Sequence, residues 1–459
     1  MKYLELNGKK LPIPSFFQVY NFGGGNGDKD REIVYAELSD NTPALVNYFY
    51  INNEYKHLFQ NKIFDNVTTK YTKVGDLYND IRNMLINKGE FYNRLTKVDY
   101  DFNKKVFLLD SGAFSIVKYI AKSVNYDIKK FLEALPSHVD RYYDFANSLK
   151  FDLVVGFDLG GKYTEKDGEK DDDSLMNFLS EIDEDTVNNM LIIQTLKYLK
   201  SHPNYYPRIL ATVHGRTPIA FKENAEFIIS KENELGTSFY GFALGGIASS
   251  KQLDDSWFKG IDFKKAGGNK PFKDAVGPAV AAKIVRRLAG DRPIHALGCG
   301  GYPNILLNYF CGATSFDAAS PVRRVGDGNE ASTKIVFDPT PSKESFSKYF
   351  IGGINMDNTL RTEACSYIKL NEVPDNMKLC GCKACISAQN VHNIKYLYSI
   401  KNINGEANYY SRQLIGLHAV NQHKKLCELI AEYDSVDDFC KDYQNKLFAG
   451  LNYIYNCIK

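Results

Sequence analysis

No apolar run in this sequence approaches the ~20 residues needed to cross a bilayer. The opening residues, MKYLELNGKKLPIPSFF, lack the uninterrupted apolar stretch of a secretory signal. Together these absences argue against membrane and export devices, and the expectation is a cytoplasmic protein of a bacterial or phage-infected cell with no membrane partner. An excess of one charge is missing as well. The 57 Lys and Arg against 55 Asp and Glu leave +2, which excludes a wholesale polycation. A local basic face is still allowed, because a handful of Lys and Arg make phosphate contacts. The candidate is the segment carrying Lys259, Lys264, Lys265, Lys270, Lys273, Lys283, Arg286 and Arg287, with a plain solvated helix face as the competing reading. Cysteine is absent from the first 298 residues: all nine lie at or beyond Cys299. An odd number without a secretory signal does not build a disulfide framework.

What is present begins with that cysteine cluster. Cys380, Cys382 and Cys385 fall within six residues, and clustered thiols in a reducing compartment point to a metal. Zinc wants four tetrahedral ligands, and three cysteines with one histidine are a common structural set. His392, His418 and His423 all follow as candidates for the fourth. A zinc with four protein ligands has no open position, so it is expected to be structural.

The first 320 residues carry short β-branched and aromatic runs separated by longer helical or loop stretches. Strands are expected near Ser15–Tyr20, Val46–Ile51, Val106–Leu109, Leu153–Phe157, Ile209–Val213, Phe239–Leu244, Ile294–Leu297 and Thr314–Phe316. The runs are mostly apolar rather than alternating, as when both sheet faces are covered. Eight of them alternating with helical segments suggest an α/β fold, a parallel (β/α)8 TIM barrel, over residues 1–335. Residues 336–459 then hold the zinc-binding subdomain and C-terminal helices closing the barrel. A chain of 459 residues is long enough for one large barrel with appendages.

Each run leads into polar chemistry. The third enters Asp110-Ser111-Gly112-Ala113-Phe114, the fourth Asp158-Leu159-Gly160-Gly161, and the fifth His214-Gly215-Arg216. The sixth enters Gly245-Gly246-Ile247-Ala248, the seventh Gly298-Cys299-Gly300-Gly301, and the eighth Asp317-Ala318-Ala319-Ser320-Pro321. In a barrel these ends converge on one mouth. A single Asp before Ser-Gly is more often a turn former or helix N-cap than a catalyst; repetition at successive strand ends weakens that reading.

At these residues the chain resembles the tRNA-guanine transglycosylase superfamily. Asp110 to Phe114 is similar to the family's Asp-Ser-Gly-Gly-Phe/Tyr segment, whose carboxylate is assigned to proton transfer. Asp158 resembles the base-reading aspartate, and Gly245 to Ala248 the Gly-Gly-Leu-Ala loop lining the base pocket. Phe316 to Arg323 is similar to the segment Phe-Asp-Cys-Val-x-Pro-Thr-Arg, which carries the nucleophile. The three cysteines with a distant histidine resemble the zinc signature, and the helical pattern around His418 makes it the fourth ligand on this resemblance. The resemblance implies exchange of guanine at C1′ by double displacement. Asp317 is then the nucleophile and Asp110 moves the proton. Ser111, Asp158, His214, Gly245, Gly246, Ile247 and Arg323 bind substrate. It also implies a base flipped from its stack. Further expectations are a free 7-deazaguanine base as partner, a homodimer through the zinc region, and an open question of an ATPase partner protein.

Departures bear on the polymer. His214 stands where tRNA enzymes carry glutamine, and Gly326 where they carry a second arginine beyond Arg323. The segment 12–17, the Gly23–Gly27 loop and the acidic stretch Glu165–Asp173 are also unlike them. These departures are similar to those of the DNA-acting branch, which inserts bases such as 7-cyano-7-deazaguanine. The expectation is therefore DNA, with tRNA as the alternative and a non-catalytic nucleic-acid-binding paralogue or a simple hydrolase behind it.

Overall fold

The computed structural model describes residues 2–20, 42–52, 67–86, 101–159, 173–266, 270–319, 359–361, 367–369, 392, 420–421, 423–443 and 446–458. Ten strands build the part that positions the site. β1 (Lys2–Leu6) and β2 (Lys9–Ile13) form an antiparallel hairpin. Its two-residue loop, Asn7-Gly8, has φ of 52° and 83°, as the tight turn matching strand twist requires. The other eight are β3 (Ser15–Tyr20), β4 (Ala44–Asn47), β5 (Phe107–Asp110), β6 (Leu153–Val155), β7 (Arg208–Val213), β8 (Gly241–Leu244), β9 (Ile294–Ala296) and β10 (Ser315–Ala318). They close into a parallel barrel in the order β10-β3-β4-β5-β6-β7-β8-β9. The chain is therefore an α/β protein with a closed eight-stranded barrel, as its apolar runs lead one to expect.

The second run ends earlier than expected. The strand stops at Asn47 and Tyr48–Ile51 turns into a short helix, because the Asn47 side chain accepts the Phe49 N–H and caps it. A capped turn here overrides the β preference of Tyr-Phe-Tyr-Ile.

Two cores result. The larger lies between strands and helices and includes Phe107, Val154, Phe242 and Phe316. The smaller fills the barrel with Phe17, Val19, Leu45, Val106, Leu108, Leu153, Val155, Leu210 and Ala243, and the hairpin's Leu6 and Leu11 plug its lower end. Side chains alternate along a strand. The inward set Leu45, Leu108, Leu210 and Ala243 therefore continues upward to Asn47, Asp110, Thr212 with His214, and Gly245. In β10, Asp317 pairs with inward-facing Phe17, so Ser315 and Asp317 share that face. The sequence thus places its polar residues at the upper end of the barrel interior.

Outside, the helix Lys270–Ala289 runs from the mouth down to the lower end, since it follows β8 and precedes β9. The C-terminal helix Lys446–Ile458 packs against it, and both Lys446–Ile458 and the helix Val436–Asp442 pack against the helix Tyr302–Phe310. Lys283 Nζ donates to the Ile458 carbonyl at 2.5 Å, and Tyr453 Oη accepts the Asp262 N–H at 3.2 Å. No helix among the described residues is long and apolar enough to cross a membrane.

Candidate functional site

Asp110 ends β5 beside Asn47, its register partner on β4. Its Oδ2 accepts from Asn47 Nδ2 at 3.1 Å and from the Gly112 N–H at 3.3 Å. Asn47 Oδ1 is committed to the Phe49 N–H at 3.0 Å, so its amide NH2 is the end left to face the carboxyl. Gly112 has φ of +65°, and a Cβ there would lie 2.4 Å from Asn47 Oδ1. Glycine is required both by the backbone and by that contact. Ser111 is buried, and its Oγ accepts the Ala113 N–H at 3.2 Å. Turn-forming and functional readings of this segment are thus compatible, because the turn is what aims the carboxyl. Burial first, then the charges of Asp158 and Asp317, push the Asp110 carboxyl up to about 7, against the pull of the Gly112 and Ser111 amides.

Asp158 follows β6, and the backbone on either side of it is held by three side chains. Tyr143 Oη accepts the Phe157 N–H at 3.0 Å, Asn188 Oδ1 accepts the Leu159 N–H at 3.0 Å, and Thr212 Oγ1 donates to the Gly156 carbonyl at 2.8 Å. Its Oδ2 lies 2.7 Å from His214 Nε2, within ion-pair reach but not aligned as a hydrogen bond. Burial pushes the His214 imidazole down in proton affinity, yet the Asp158 carboxylate, with Glu184 and Asp185 further out, outweighs it and holds the proton above the ordinary range. His214 is fixed by its own N–H, which donates to Asn224 Oδ1 at 3.1 Å. The ring needs a glycine beside it: a Cβ on Gly245 would meet His214 Cε1 at 2.5 Å. Gly246 is exposed at the mouth and Ile247 is fully buried beneath it.

Asp317 lies in β10 with 7% of its surface exposed. Its Oδ1 accepts the Gly298 N–H at 2.8 Å and lies 3.2 Å from His295 Nε2. His295 Nδ1 is 2.8 Å from Ser315 Oγ, and its ring meets Phe17 edge-on at 5.4 Å. Both contacts fall on Oδ1, and Oδ2 takes no donor from the described residues.

The structure therefore brings Asp110, Ser111, Asp158, His214, Gly245, Gly246, Ile247 and Asp317 to one mouth. Asn47, His295 and Ser315 join them without having been expected. The signal for all three was the same: a polar residue at an inward position of an otherwise apolar strand. Arg323 lies outside the described residues, as do Cys380, Cys382, Cys385 and His418. Of the other histidines weighed for that metal, His392 is exposed, and His423 is buried against the Phe16 ring at 4.4 Å. Among the described residues no group of three or more His, Cys, Asp or Glu is placed to hold a metal.

The basic segment does not form one face. Lys259, Lys264 and Lys265 are exposed on the loop between β8 and its helix, on the mouth side. Lys283, Arg286 and Arg287 sit at the far end of that helix. There Arg286 donates to the carbonyls of Gly312, Gly290 and Arg292, which is structural work at the barrel's lower end. No protein-family model matches the chain, and no curated protein matches it either.

Proposed function

We propose that this chain is a guanine transglycosylase that exchanges a guanine in DNA for a 7-deazaguanine base. One observation carries the reading: a carboxylate with one oxygen held and the other given no donor by the described residues shares a mouth with a carboxyl that keeps its proton near neutrality. Asp317 Oδ2 attacks C1′ of the nucleotide, and the C1′–N bond breaks with its electron pair leaving on the guanine. Asp110 gives that base a proton. The incoming base then attacks C1′, Asp317 departs as a carboxylate, and Asp110 takes the proton back. Two displacements at one carbon retain configuration. An acid that must also act as base works best with its pKa near the working pH, which suits Asp110.

The paired groups read the base. Asp158 accepts from a ring N–H and exocyclic amine, and His214, whose proton affinity Asp158 raises, donates to the carbonyl oxygen. The backbone at Gly246 and Ile247 closes the edge. Arg323 contributes to substrate binding on the resemblance alone, and the lysines of the β8 loop offer phosphate contacts. DNA is favoured over tRNA by the sequence departures at His214 and Gly326.

The donor set Cys380, Cys382, Cys385 and His418 has the chemistry of a four-ligand structural zinc site. When bound, the metal supplies folding energy to its segment, and no step of the exchange passes through it. Cys382→Ser is expected to lose about one zinc per chain by metal analysis; unchanged content refutes the assignment.

The central test incubates the protein with guanine-labelled DNA or tRNA and free 7-cyano-7-deazaguanine. Label release from DNA and a trapped protein–DNA adduct are expected, and Asp317→Ala should abolish both. Release from tRNA but never from DNA overturns the choice of polymer. An adduct surviving in Asp317→Ala overturns the nucleophile.

A further inference from the structure

We propose that His295, set by Ser315, is a positioning residue that dictates which oxygen of Asp317 attacks, a role that rests on the transglycosylase reading above. His295 and Ser315 are register partners on adjacent strands, and the Asp317 side chain lies on the same inward face one step higher. The imidazole is completely buried. Ser315 Oγ lies 2.8 Å from Nδ1 and Phe17 covers the ring edge-on at 5.4 Å, so little freedom of rotation remains. With the Ser315 hydroxyl donating to Nδ1, the ring proton belongs on Nε2, facing Asp317 Oδ1 at 3.2 Å. The Gly298 N–H reaches the same oxygen at 2.8 Å.

The asymmetry has a chemical consequence. Two donors on Oδ1 fix the plane of the carboxylate and leave Oδ2 as the attacking atom. Once Oδ2 is esterified to C1′, Oδ1 is the ester carbonyl oxygen. The same two donors then stabilise the negative charge that returns to the carboxylate as the C1′–Oδ2 bond breaks. His295 thus assists both displacements without touching the base or the sugar, and its loss should fall on the covalent steps rather than on base binding.

Three variants test this: His295→Met, which removes the donor, His295→Gln, which keeps an N–H at similar reach, and Ser315→Ala, which removes only the partner of Nδ1. Single-turnover adduct formation on DNA, KM for the free base and the melting temperature are measured for each. His295→Met is expected to slow adduct formation and kcat about 10- to 100-fold, the worth of a charge-assisted hydrogen bond, with KM for the base within about twofold. His295→Gln should regain most of that rate, and Ser315→Ala should fall between. A wild-type adduct rate in His295→Met, or a His295→Gln no faster than His295→Met, overturns the proposal. Should His295→Met not fold, an unchanged adduct rate in Ser315→Ala overturns it instead. Absence of any adduct in the wild-type protein overturns the transglycosylase reading itself, and the role of His295 with it.

Discussion

The two ends of the barrel each bury carboxylates, and they treat them in opposite ways. At the lower end Asp152 is completely covered, and its Oδ2 receives Lys9 Nζ at 2.8 Å and the Phe107 N–H at 2.9 Å. Lys9 also donates to the Lys105 carbonyl at 2.7 Å, so the lysine ties the N-terminal hairpin to the barrel floor. At the mouth, Asp110, Asp158 and Asp317 have no lysine or arginine within ion-pair distance among the described residues. Two lean on histidines, and Asp110 has amides alone. A carboxylate given a cation is spent on holding the chain together. Asp110, crowded by two carboxylates without such a cation, holds its proton well above the ordinary carboxylate range, as at sites poised for proton transfer. Pairing a carboxylate with a lysine at the floor and crowding three together at the mouth fits the general division of barrel enzymes into a stabilising and a reactive face.

The contrast breaks most visibly at Asp110. Asp110→Asn should cut the exchange rate about 10²- to 10⁴-fold, the usual worth of a general acid–base group. It should also stabilise the fold, with a definite sign. The Asp110 carboxyl holds its proton to about 7 in the folded chain, above its ordinary value of 3.8. Its favourable contribution is therefore full below about pH 4 and is lost as pH rises through about 7. At about pH 9 the asparagine variant should be more stable than the parent by on the order of 2 kcal/mol, shrinking toward zero at about pH 4. Thermal melts across that range check this. A variant less stable than its parent at the alkaline end would mean that the mouth is not strained.

Lys9→Met attacks the other end. Removing the cation leaves Asp152 buried with only the Phe107 amide, and losing one partner of such a pair costs roughly 3 kcal/mol. The melting temperature should drop while the exchange rate per folded molecule stays within about twofold. Asp152→Asn combined with Lys9→Met should recover part of the loss, because no uncompensated charge remains. A rate that falls with the melting point would show that floor and mouth are mechanically coupled.

How much of this was legible in the sequence follows the same division. Apolar runs covered on both faces announce buried strands, and those around β3, β5, β6, β7, β8, β9 and β10 fall at or within a few residues of where the pattern puts them. The carboxylates were legible because each sits at a strand end, where topology alone brings them together. Their partners were not. Asn47 and Asp110 are 63 residues apart, and His295 and Asp317 are 22 apart, so those contacts exist only once neighbouring strands are set in register. Asn47 was hidden twice, since the run through Tyr48–Ile51 reads as continuous strand until its side chain is seen capping a helix. The basic segment misled for a related reason: one continuous stretch of sequence spans a helix that runs the height of the barrel, so its charges separate.

Asn47 gives the mildest and sharpest comparison, because its side chain serves both stability and the proposed chemistry. Its Oδ1 caps a helical turn and its Nδ2 donates to Asp110. Asn47→Ala removes both, and loss of the cap should cost about 1 kcal/mol. Loss of the donor removes a hydrogen bond that favours the ionised carboxyl, so the Asp110 value should climb further above its ordinary range. The pH–rate curve should accordingly move to higher pH, with a loss of about tenfold in rate at neutrality. Asn47→Ser separates the two effects, since serine still caps the turn while its shorter side chain does not reach Asp110. It should match Asn47→Ala in rate and pH profile but keep the parent's melting temperature. If Asn47→Ser instead restores the rate along with the melting point, the asparagine serves the helix alone, and Asp110 is tuned by burial, the two facing carboxylates and the Gly112 and Ser111 amides without it.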